Sequence, residues 1–139
     1  MTESTKDAFE QGYERYQAGE NPASLIPLFK EICDRAPRNS AAWTSLAWLY
    51  LLTDQPKKAL KAAQKATKLE PAAPQSRINL VLAMLETGEK GVRQHIEKVQ
   101  EIMLLDAQIR QDLAENIADG LNRKPNWQSL IRVKKWLFE

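Results

Sequence analysis

The fold is decided by residues 40–73, which read SAAWTSLAWLYLLTDQPKKALKAAQKATKLEPAA. In the first half of this stretch, apolar residues follow the spacing i, i+3, i+4 and i+7: Trp43, Leu46, Ala47 and Tyr50. That spacing puts the side chains on one face of an α-helix. In the second half, small residues repeat the helical spacing: Ala59, Ala63 and Ala66. Because small side chains let two helices approach closely, the stretch predicts a pair of packed helices.

Residues that start and stop helices mark the ends of the second helix. Asp54 is expected to cap its N-terminus, and Pro56 fits in the first turn, where its missing N–H group leaves no bond unmade. Pro71 is expected to end the helix, because proline cannot continue a helix interior. The stretch is therefore predicted to form a helical hairpin.

The same pattern recurs at a distance of 34 residues along the chain. The matching pairs are Phe9 and Trp43, Tyr16 and Tyr50, Phe29 and Ala63, Ile32 and Ala66, and Pro37 and Pro71. A third copy begins near Pro74, with Leu80 and Met84 in the places of Leu46 and Tyr50 and a loop one residue shorter. A fixed period of this length indicates stacked helical hairpins.

The middle copy resembles the tetratricopeptide repeat. In that family Trp, Leu, a small residue and Tyr mark the first helix of each hairpin, and small residues followed by Pro mark the second. The sequence departs from the pattern at two places, since Ala47 replaces the usual Gly and Ala63 the usual aromatic residue. The resemblance rests mainly on Trp43 to Pro71, because the first and third copies match the pattern less well.

The resemblance implies an all-α fold, and the low glycine content also favours helices over turn-rich sheets. We expect a right-handed superhelix of about three hairpins and a single domain over residues 1–139. Its repeats are predicted at about 6–39, 40–73 and 74–105, and the C-terminal helices at 106–139. Such helices commonly cap the open end of a repeat stack.

The predicted C-terminal helices have their own stop and start signals. Asp106 is expected to cap a helix that Gly120 ends, and Asn126 to cap a last helix. The apolar residues of the first of these helices are Ile109, Leu113, Ile117 and Leu121. Those of the last are Trp127, Leu130, Ile131, Trp136, Leu137 and Phe138.

Residues suited to catalysis or metal binding are scarce. Cys33 is the one cysteine, so it has no partner within the chain for a disulfide, and it is expected to be a buried apolar residue. His95 is the one histidine, and no second His or Cys stands at ligand spacing. No glycine-rich phosphate-binding motif is present. The sequence therefore predicts no catalytic residue, no metal site, no cofactor and no enzymatic activity.

The resemblance places the functional surface in a concave groove lined by the first helix of each hairpin. The predicted peptide-binding residues of this groove are Glu10, Glu14, Gln17, Thr44, Trp48, Leu51, Ile78, Leu82 and Leu85. Their apolar centre and acidic end predict an apolar or amphipathic peptide or helix with a basic flank as the ligand. The chain would then be an adaptor, scaffold or assembly factor that binds another protein.

Two further considerations bear on this groove. The protein's own last helices could fill it instead, with Trp48 contacting Ile131 or Trp136. In addition, the resemblance includes domains that bind the C-terminal carboxylate of heat-shock chaperones through Lys, Asn and Arg. The corresponding places here are Glu10, Glu14, Ser45, Gln75 and Asn79. Since carboxylates replace the cations, the sequence predicts that a chaperone C-terminal carboxylate is not the ligand.

Basic side chains form two clusters that support an alternative function. One follows the second helix of the middle hairpin, at Lys57, Lys61, Lys65 and Lys68, and the other lies in the last helix, at Arg132, Lys134 and Lys135. They could bind nucleic acid or an anionic membrane surface. A solvated helix face is the more ordinary explanation of such lysines. Nucleic acid is disfavoured, because the net charge is only +2 and no known motif is visible.

The sequence shows no apolar stretch long enough to cross a membrane and no secretion signal at its start. We therefore expect no transmembrane segment and a cytoplasmic location.

Overall fold

The computed structural model describes residues 4–139, and this part of the chain consists of eight α-helices joined by short loops. The helices are α1 (Thr5–Gln17), α2 (Pro22–Arg35), α3 (Ser40–Leu52), α4 (Pro56–Leu69), α5 (Pro74–Thr87), α6 (Val92–Leu105), α7 (Ala107–Arg123) and α8 (Gln128–Phe138). The all-α prediction is confirmed. Residues 1–3 of the predicted domain lie outside the described residues, and the predicted repeat limits stay an interpretation of the sequence.

Several helices start where the local sequence supplies a cap. Ser4, Asn21, Asn39 and Asp106 each accept a hydrogen bond from a backbone N–H group of the helix that follows. Helices α2, α4 and α5 begin with a proline. Gly88, at the C-terminus of α5, has a φ of 76°, a left-handed conformation that glycine adopts without strain.

Three predicted caps and ends are wrong in detail. Asp54 does not cap α4, because its backbone is left-handed at φ 59° and its carboxylate accepts a 2.8 Å hydrogen bond from Lys124 instead. Gly120 does not end α7, which continues to Arg123. The residue that precedes α8 is Trp127, not Asn126.

Consecutive helices pack against one another from α1 to α6, and small residues let them approach. Ala47, Ala59, Ala63 and Ala66 are fully buried between α3, α4 and their neighbours. Larger apolar residues from α2 and α5, such as Leu25 and Val81, complete the same core. The packing of paired helices that residues 40–73 predict therefore continues from α1 to α6.

The third hairpin reproduces a contact of the second with a different residue. The indole Nε1 of Trp43 donates a 2.9 Å hydrogen bond to the carbonyl of Pro37. At the equivalent place 34 residues later, Nε of Arg77 donates a 2.8 Å hydrogen bond to the carbonyl of Pro71. Arg77 thus replaces the tryptophan of the repeat pattern and keeps its polar contact.

The C-terminal helices do not simply extend the stack. Helix α8 packs against α5, α6 and α7, and its Leu130 and Val133 are fully buried. Through its later turns, α7 reaches α1 and α3, as the hydrogen bond between Tyr16 and Asp119 and the closeness of Gly120 to Trp48 show. Helices α7 and α8 therefore lie across the face formed by α1, α3 and α5.

Candidate functional site

The apolar centre of the predicted groove is covered. Leu51, Ile78 and Leu82 are fully buried, and they share one core with Leu130 of α8. The expectation that they line an open groove is therefore wrong, and the alternative in which the protein's own last helices fill the groove describes this region. These side chains share the core with apolar residues of α7 and α8, and the shared burial removes both surfaces from water.

Trp48 contacts the C-terminal helices through Trp127, which precedes α8. The two rings are tilted at 45°, and their centroids are 5.3 Å apart. Trp127 is 5% exposed, and its indole Nε1 donates a 2.7 Å hydrogen bond to Glu86. The aromatic partner of Trp48 is thus Trp127, whereas the sequence suggested Ile131 or Trp136.

Gly120 allows α7 to approach this tryptophan. A Cβ atom at Gly120 would lie 2.6 Å from Cδ2 of Leu130 and 2.9 Å from Cη2 of Trp48. Both distances are shorter than van der Waals contact, so any side chain would force the neighbours apart. Gly120 is therefore a packing residue inside α7 and not a helix terminator.

A polar network joins α1, α3 and α7 beside the covered region. Nε1 of Trp48 donates a 2.8 Å hydrogen bond to the Tyr16 hydroxyl, which in turn donates to a carboxylate oxygen of Asp119. Nε of Arg123 donates to the same carboxylate at 3.1 Å, and its guanidinium lies 3.8 Å from the centre of the Tyr16 ring. Burial, followed by the hydrogen bond to Asp119, raises the pKa of Tyr16, so its hydroxyl stays protonated.

Further hydrogen bonds tie α7 and the segment after it to the first helices. Nη2 of Arg123 donates to the carbonyl of Tyr16 at 3.0 Å, and Nζ of Lys124 donates to the carbonyl of Leu51 at 3.0 Å. Nδ2 of Asn116 donates to Oε1 of Gln75 at 3.1 Å. The position of α7 is thus fixed by polar contacts with α1, α3 and α5.

A part of the face formed by α1, α3 and α5 stays open between α1 and α7. This α1–α7 cleft has a volume of about 370 Å³ and is lined by Tyr13, Tyr16, Gln17, Phe29, Thr44, Ser45, Trp48, Leu49, Gln75, Asn79, Glu115, Asn116 and Asp119. A second cavity of about 340 Å³ adjoins it. The two share Thr44, Ser45, Gln75 and Asn116, so they form one continuous depression.

The charges that line this depression are negative. Glu115 and Asp119 line the α1–α7 cleft, and Glu70 and Asp112 line the adjoining cavity. Among the described residues, no lysine or arginine lines either cavity. Arg123 neutralises Asp119 from the side, whereas the other three carboxylates make no ion pair within the described chain. The depression therefore favours a cationic ligand.

The predicted groove residues fall into three groups in the structure. Gln17, Thr44 and Trp48 line the α1–α7 cleft. Glu10 and Glu14 are exposed on α1 and do not line the two cavities. The remaining four pack in or against the core: Leu51, Ile78, Leu82 and Leu85.

Sequence reasoning missed Tyr13 and Tyr16 of α1 and the residues that α7 contributes to the cleft. Tyr13 is 56% exposed, and Glu115, Asn116 and Asp119 stand on the polar face of α7. Helical spacing shows that these residues share a face, but it does not show which helix α7 faces. The spacing of Tyr13 and Tyr16 on one face of α1 was the available signal.

The two basic clusters lie on exposed surface. Lys57, Lys61, Lys65 and Lys68 are exposed on α4, which packs mainly on α3 and α5. Arg132, Lys134 and Lys135 are exposed on α8, which packs mainly on α5, α6 and α7. The Arg132 guanidinium lies 5.0 Å from the centre of the Trp136 ring. The clusters thus belong to helices that pack mainly on different neighbours.

Cys33 and His95 both have neighbours that explain them structurally. Cys33 is 1% exposed, and burial raises its pKa to about 12, so its thiol is protonated and inaccessible. Nδ1 of His95 lies 2.9 Å from Nη1 of Arg77. Burial, and then the charge of Arg77, lower the pKa of His95. Both residues are therefore accounted for by packing and by the Arg77 contact.

Within residues 4–139, none of the helices combines the length and the apolar character needed to cross a lipid bilayer.

Comparison of sequences identifies one repeat. A family model described as Tetratricopeptide repeat matches residues 28–61, which span most of α2, all of α3 and the start of α4. No curated protein sequence matches the chain significantly.

Solved structures share the fold over most of the chain. The type III secretion translocator chaperone SycD of Yersinia enterocolitica has a TM-score of 0.69 at 14% identity, covering 88% of this chain and 92% of that one. The first tetratricopeptide domain of Spaghetti (RPAP3), bound to the HSP90 peptide SRMEEVD, has a TM-score of 0.57 at 15% identity, with coverages of 95% and 89%. The Sgt2 tetratricopeptide domain of Aspergillus fumigatus has a TM-score of 0.58 at 17% identity, covering 96% of this chain and 79% of that one. The predicted tetratricopeptide-type fold is confirmed.

Proposed function

We propose that this chain, a small tetratricopeptide-repeat domain, binds a segment of another protein in the α1–α7 cleft and acts as a non-catalytic adaptor or assembly factor in the cytoplasm. The observation that carries the proposal is the cleft itself, an open depression where four helices of the repeat stack, α1, α2, α3 and α5, meet α7. Two of the similar structures support a protein ligand, since one is a translocator chaperone and another holds a peptide of HSP90.

The cleft is a better candidate than the apolar groove predicted from the sequence. A ligand at Leu51, Ile78 and Leu82 would have to displace α7 and α8 from these fully buried side chains. Burying each such side chain is worth about 1.5–3 kcal/mol, so a competing ligand would first have to replace several of these contacts. A ligand in the cleft reaches the half-buried Trp48 without that cost.

The chemistry of the cleft also argues for one kind of ligand over another. In a carboxylate-binding groove of this family, Lys, Asn and Arg side chains hold the ligand. The corresponding positions here are Glu10, Glu14, Ser45, Gln75 and Asn79, so the cations are missing. Two further carboxylates, Glu115 and Asp119, line the cleft. The Ser45 hydroxyl can hydrogen-bond the backbone of an extended segment, whereas the Asn79 amide is fully buried and already bonded to Gln75 and Thr44. We therefore propose a basic or neutral segment as the ligand and exclude a free C-terminal carboxylate.

A peptide-display selection tests the proposal. Random peptides are selected on the immobilised chain and then measured against Ser45→Tyr, because Ser45 lines both cavities and a larger side chain there fills them. Gln64→Tyr, at an exposed place on α4, is the matched control. We expect binding to survive Gln64→Tyr and to be lost in Ser45→Tyr with an unchanged circular dichroism spectrum. Selected peptides that bind both variants equally would contradict the proposal.

A further inference from the structure

The Arg123 side chain shows how this surface binds a guanidinium group. The guanidinium lies 3.8 Å from the centre of the Tyr16 ring, and its Nε donates to Asp119 at 3.1 Å. One arginine is therefore held by an aromatic ring from α1 and a carboxylate from α7. The charge-assisted hydrogen bond is open to arginine and lysine alike, whereas stacking on the aromatic ring favours arginine.

One helical turn earlier, the same two kinds of group line the cleft without an arginine between them. Tyr13 precedes Tyr16 by three residues, Glu115 precedes Asp119 by four, and both line the α1–α7 cleft. Residues three or four apart share a helix face. Phe9 and Ile109, which lie earlier on α1 and α7, both line the second cavity. The ring and the carboxylate of the earlier turn thus face the same cleft from α1 and α7, as those that hold Arg123 do.

The earlier pair is open to a ligand. Tyr13 is 56% exposed, and among the described residues no cation stacks on its ring. Glu115 accepts only a long hydrogen bond, 3.4 Å from Nε2 of Gln111, and makes no ion pair within the described chain. The charge of Glu115 is therefore not neutralised, unlike that of Asp119.

We propose that this pair takes an arginine side chain of the partner protein, an inference that rests on the proposed function and names the ligand chemistry of the same cleft. The guanidinium stacks on the Tyr13 ring and donates to the Glu115 carboxylate, in a repeat of the Arg123 arrangement. The rest of the segment lies along the neutral floor of the cleft at Ser45 and Gln75. An ammonium group can make the ion pair but stacks less well.

Nuclear magnetic resonance titration of the full chain with acetyl-arginine amide tests the inference, with the acetylated amides of lysine and citrulline as comparisons. Citrulline has nearly the shape of arginine without its charge. We expect weak, millimolar binding of the arginine compound, with shifts of the backbone signals of Tyr13 and Glu115. Loss of the exposed stacking or of the ion pair corresponds to an affinity change of about 2- to 5-fold.

The variants Tyr13→Ala and Glu115→Gln should each weaken binding of the arginine compound by about 2- to 5-fold, because each removes one of the two interactions. Glu97→Gln, which makes the same charge change on the exposed surface of α6, should leave binding unchanged. Equal binding of citrulline, or shifts that do not depend on Tyr13 and Glu115, would overturn the inference. If the display-selected peptides nevertheless fail to bind Ser45→Tyr, the proposed function stands although the arginine inference is overturned.

Discussion

Tyr16 joins three helices through a single hydroxyl group. The hydroxyl accepts from Trp48 of α3 and donates to Asp119 of α7, while its own ring supports Arg123. Each of these groups is at least partly removed from water. Their hydrogen bonds therefore cost more to break than those of a fully solvated pair.

Tyr16→Phe removes the hydroxyl and leaves the indole N–H of Trp48 without its partner. We expect a loss of about 1–3 kcal/mol in the free energy of unfolding, measured by urea denaturation. Tyr50→Phe is the matched control, because no residue of the described chain hydrogen-bonds the Tyr50 hydroxyl and the change should stay within about 0.5 kcal/mol. Equal effects of the two substitutions would contradict the network's role.

Glu20 gives the loop between α1 and α2 a dependence on pH. Its carboxylate accepts from Nε of Arg15 at 2.8 Å and from the Ser24 hydroxyl at 2.7 Å. These hydrogen bonds, that of Arg15 first, lower the pKa of Glu20 from 4.5 to about 2. A carboxyl group whose pKa is lower in the folded than in the unfolded state stabilises the fold above its unfolded pKa.

The stability that Glu20 contributes should therefore be present at pH 7 and be lost as the pH falls from 4.5 toward 2. We expect the difference in urea midpoint between the natural chain and Glu20→Gln to shrink over that range. Glu97→Gln, on exposed surface, serves as the control for a simple change of net charge. If the difference in urea midpoint grew as the pH fell, Glu20 would not stabilise the fold through its lowered pKa.

At the scale of single elements, the close approach of α7 to α3 depends on Gly120. Gly120→Val puts methyl groups where a Cβ alone would already lie 2.9 Å from Trp48. We expect about 1–3 kcal/mol of destabilisation from overpacking, together with a changed Trp fluorescence spectrum. Ala118→Val, at an exposed place in the same helix, measures the effect of a β-branched residue alone. An equally mild effect at both positions would mean that the contact is not tight.

Helices of the repeats could be predicted from the sequence because their signals are local. The spacing of Trp43 and Tyr50 defines a buried face, and prolines such as Pro56 and Pro74 mark helix starts. The substitution of Arg77 for tryptophan weakened the third copy's pattern, yet its side chain keeps the hydrogen bond to Pro71. The fold class therefore followed from residues whose neighbours are close in sequence.

The placement of α7 and α8 could not be predicted in the same way. Their apolar faces show that they pack on something, but several apolar surfaces of the stack were available. The choice depends on contacts between residues far apart in sequence, such as Asp119 with Tyr16 and Trp127 with Trp48. For that reason Leu51 and Leu82 were predicted as ligand contacts, and Tyr13 and Glu115 were missed.

Considered as a whole, the molecule covers most of its apolar concave surface and leaves a depression lined by carboxylates. The peptide SRMEEVD, which the first Spaghetti domain binds, has three acidic side chains and a C-terminal carboxylate, and such a surface would repel them. Isothermal titration should detect no binding of SRMEEVD, even at peptide concentrations about ten times higher than those that would saturate a complex with a micromolar Kd. Tight binding of this peptide would contradict the proposed ligand charge.

The most direct measurement is a map of the backbone signals that shift when a display-selected peptide binds the ¹⁵N-labelled chain. Binding in the α1–α7 cleft predicts shifts clustered at Tyr13, Gln17, Ser45, Gln75 and Asn116, while the signals of α8 keep their positions. Shifts centred on Lys57 to Lys68 of α4, or on Leu51 and Leu82 together with release of α8, would show that the ligand binds elsewhere and would contradict the assignment of the cleft.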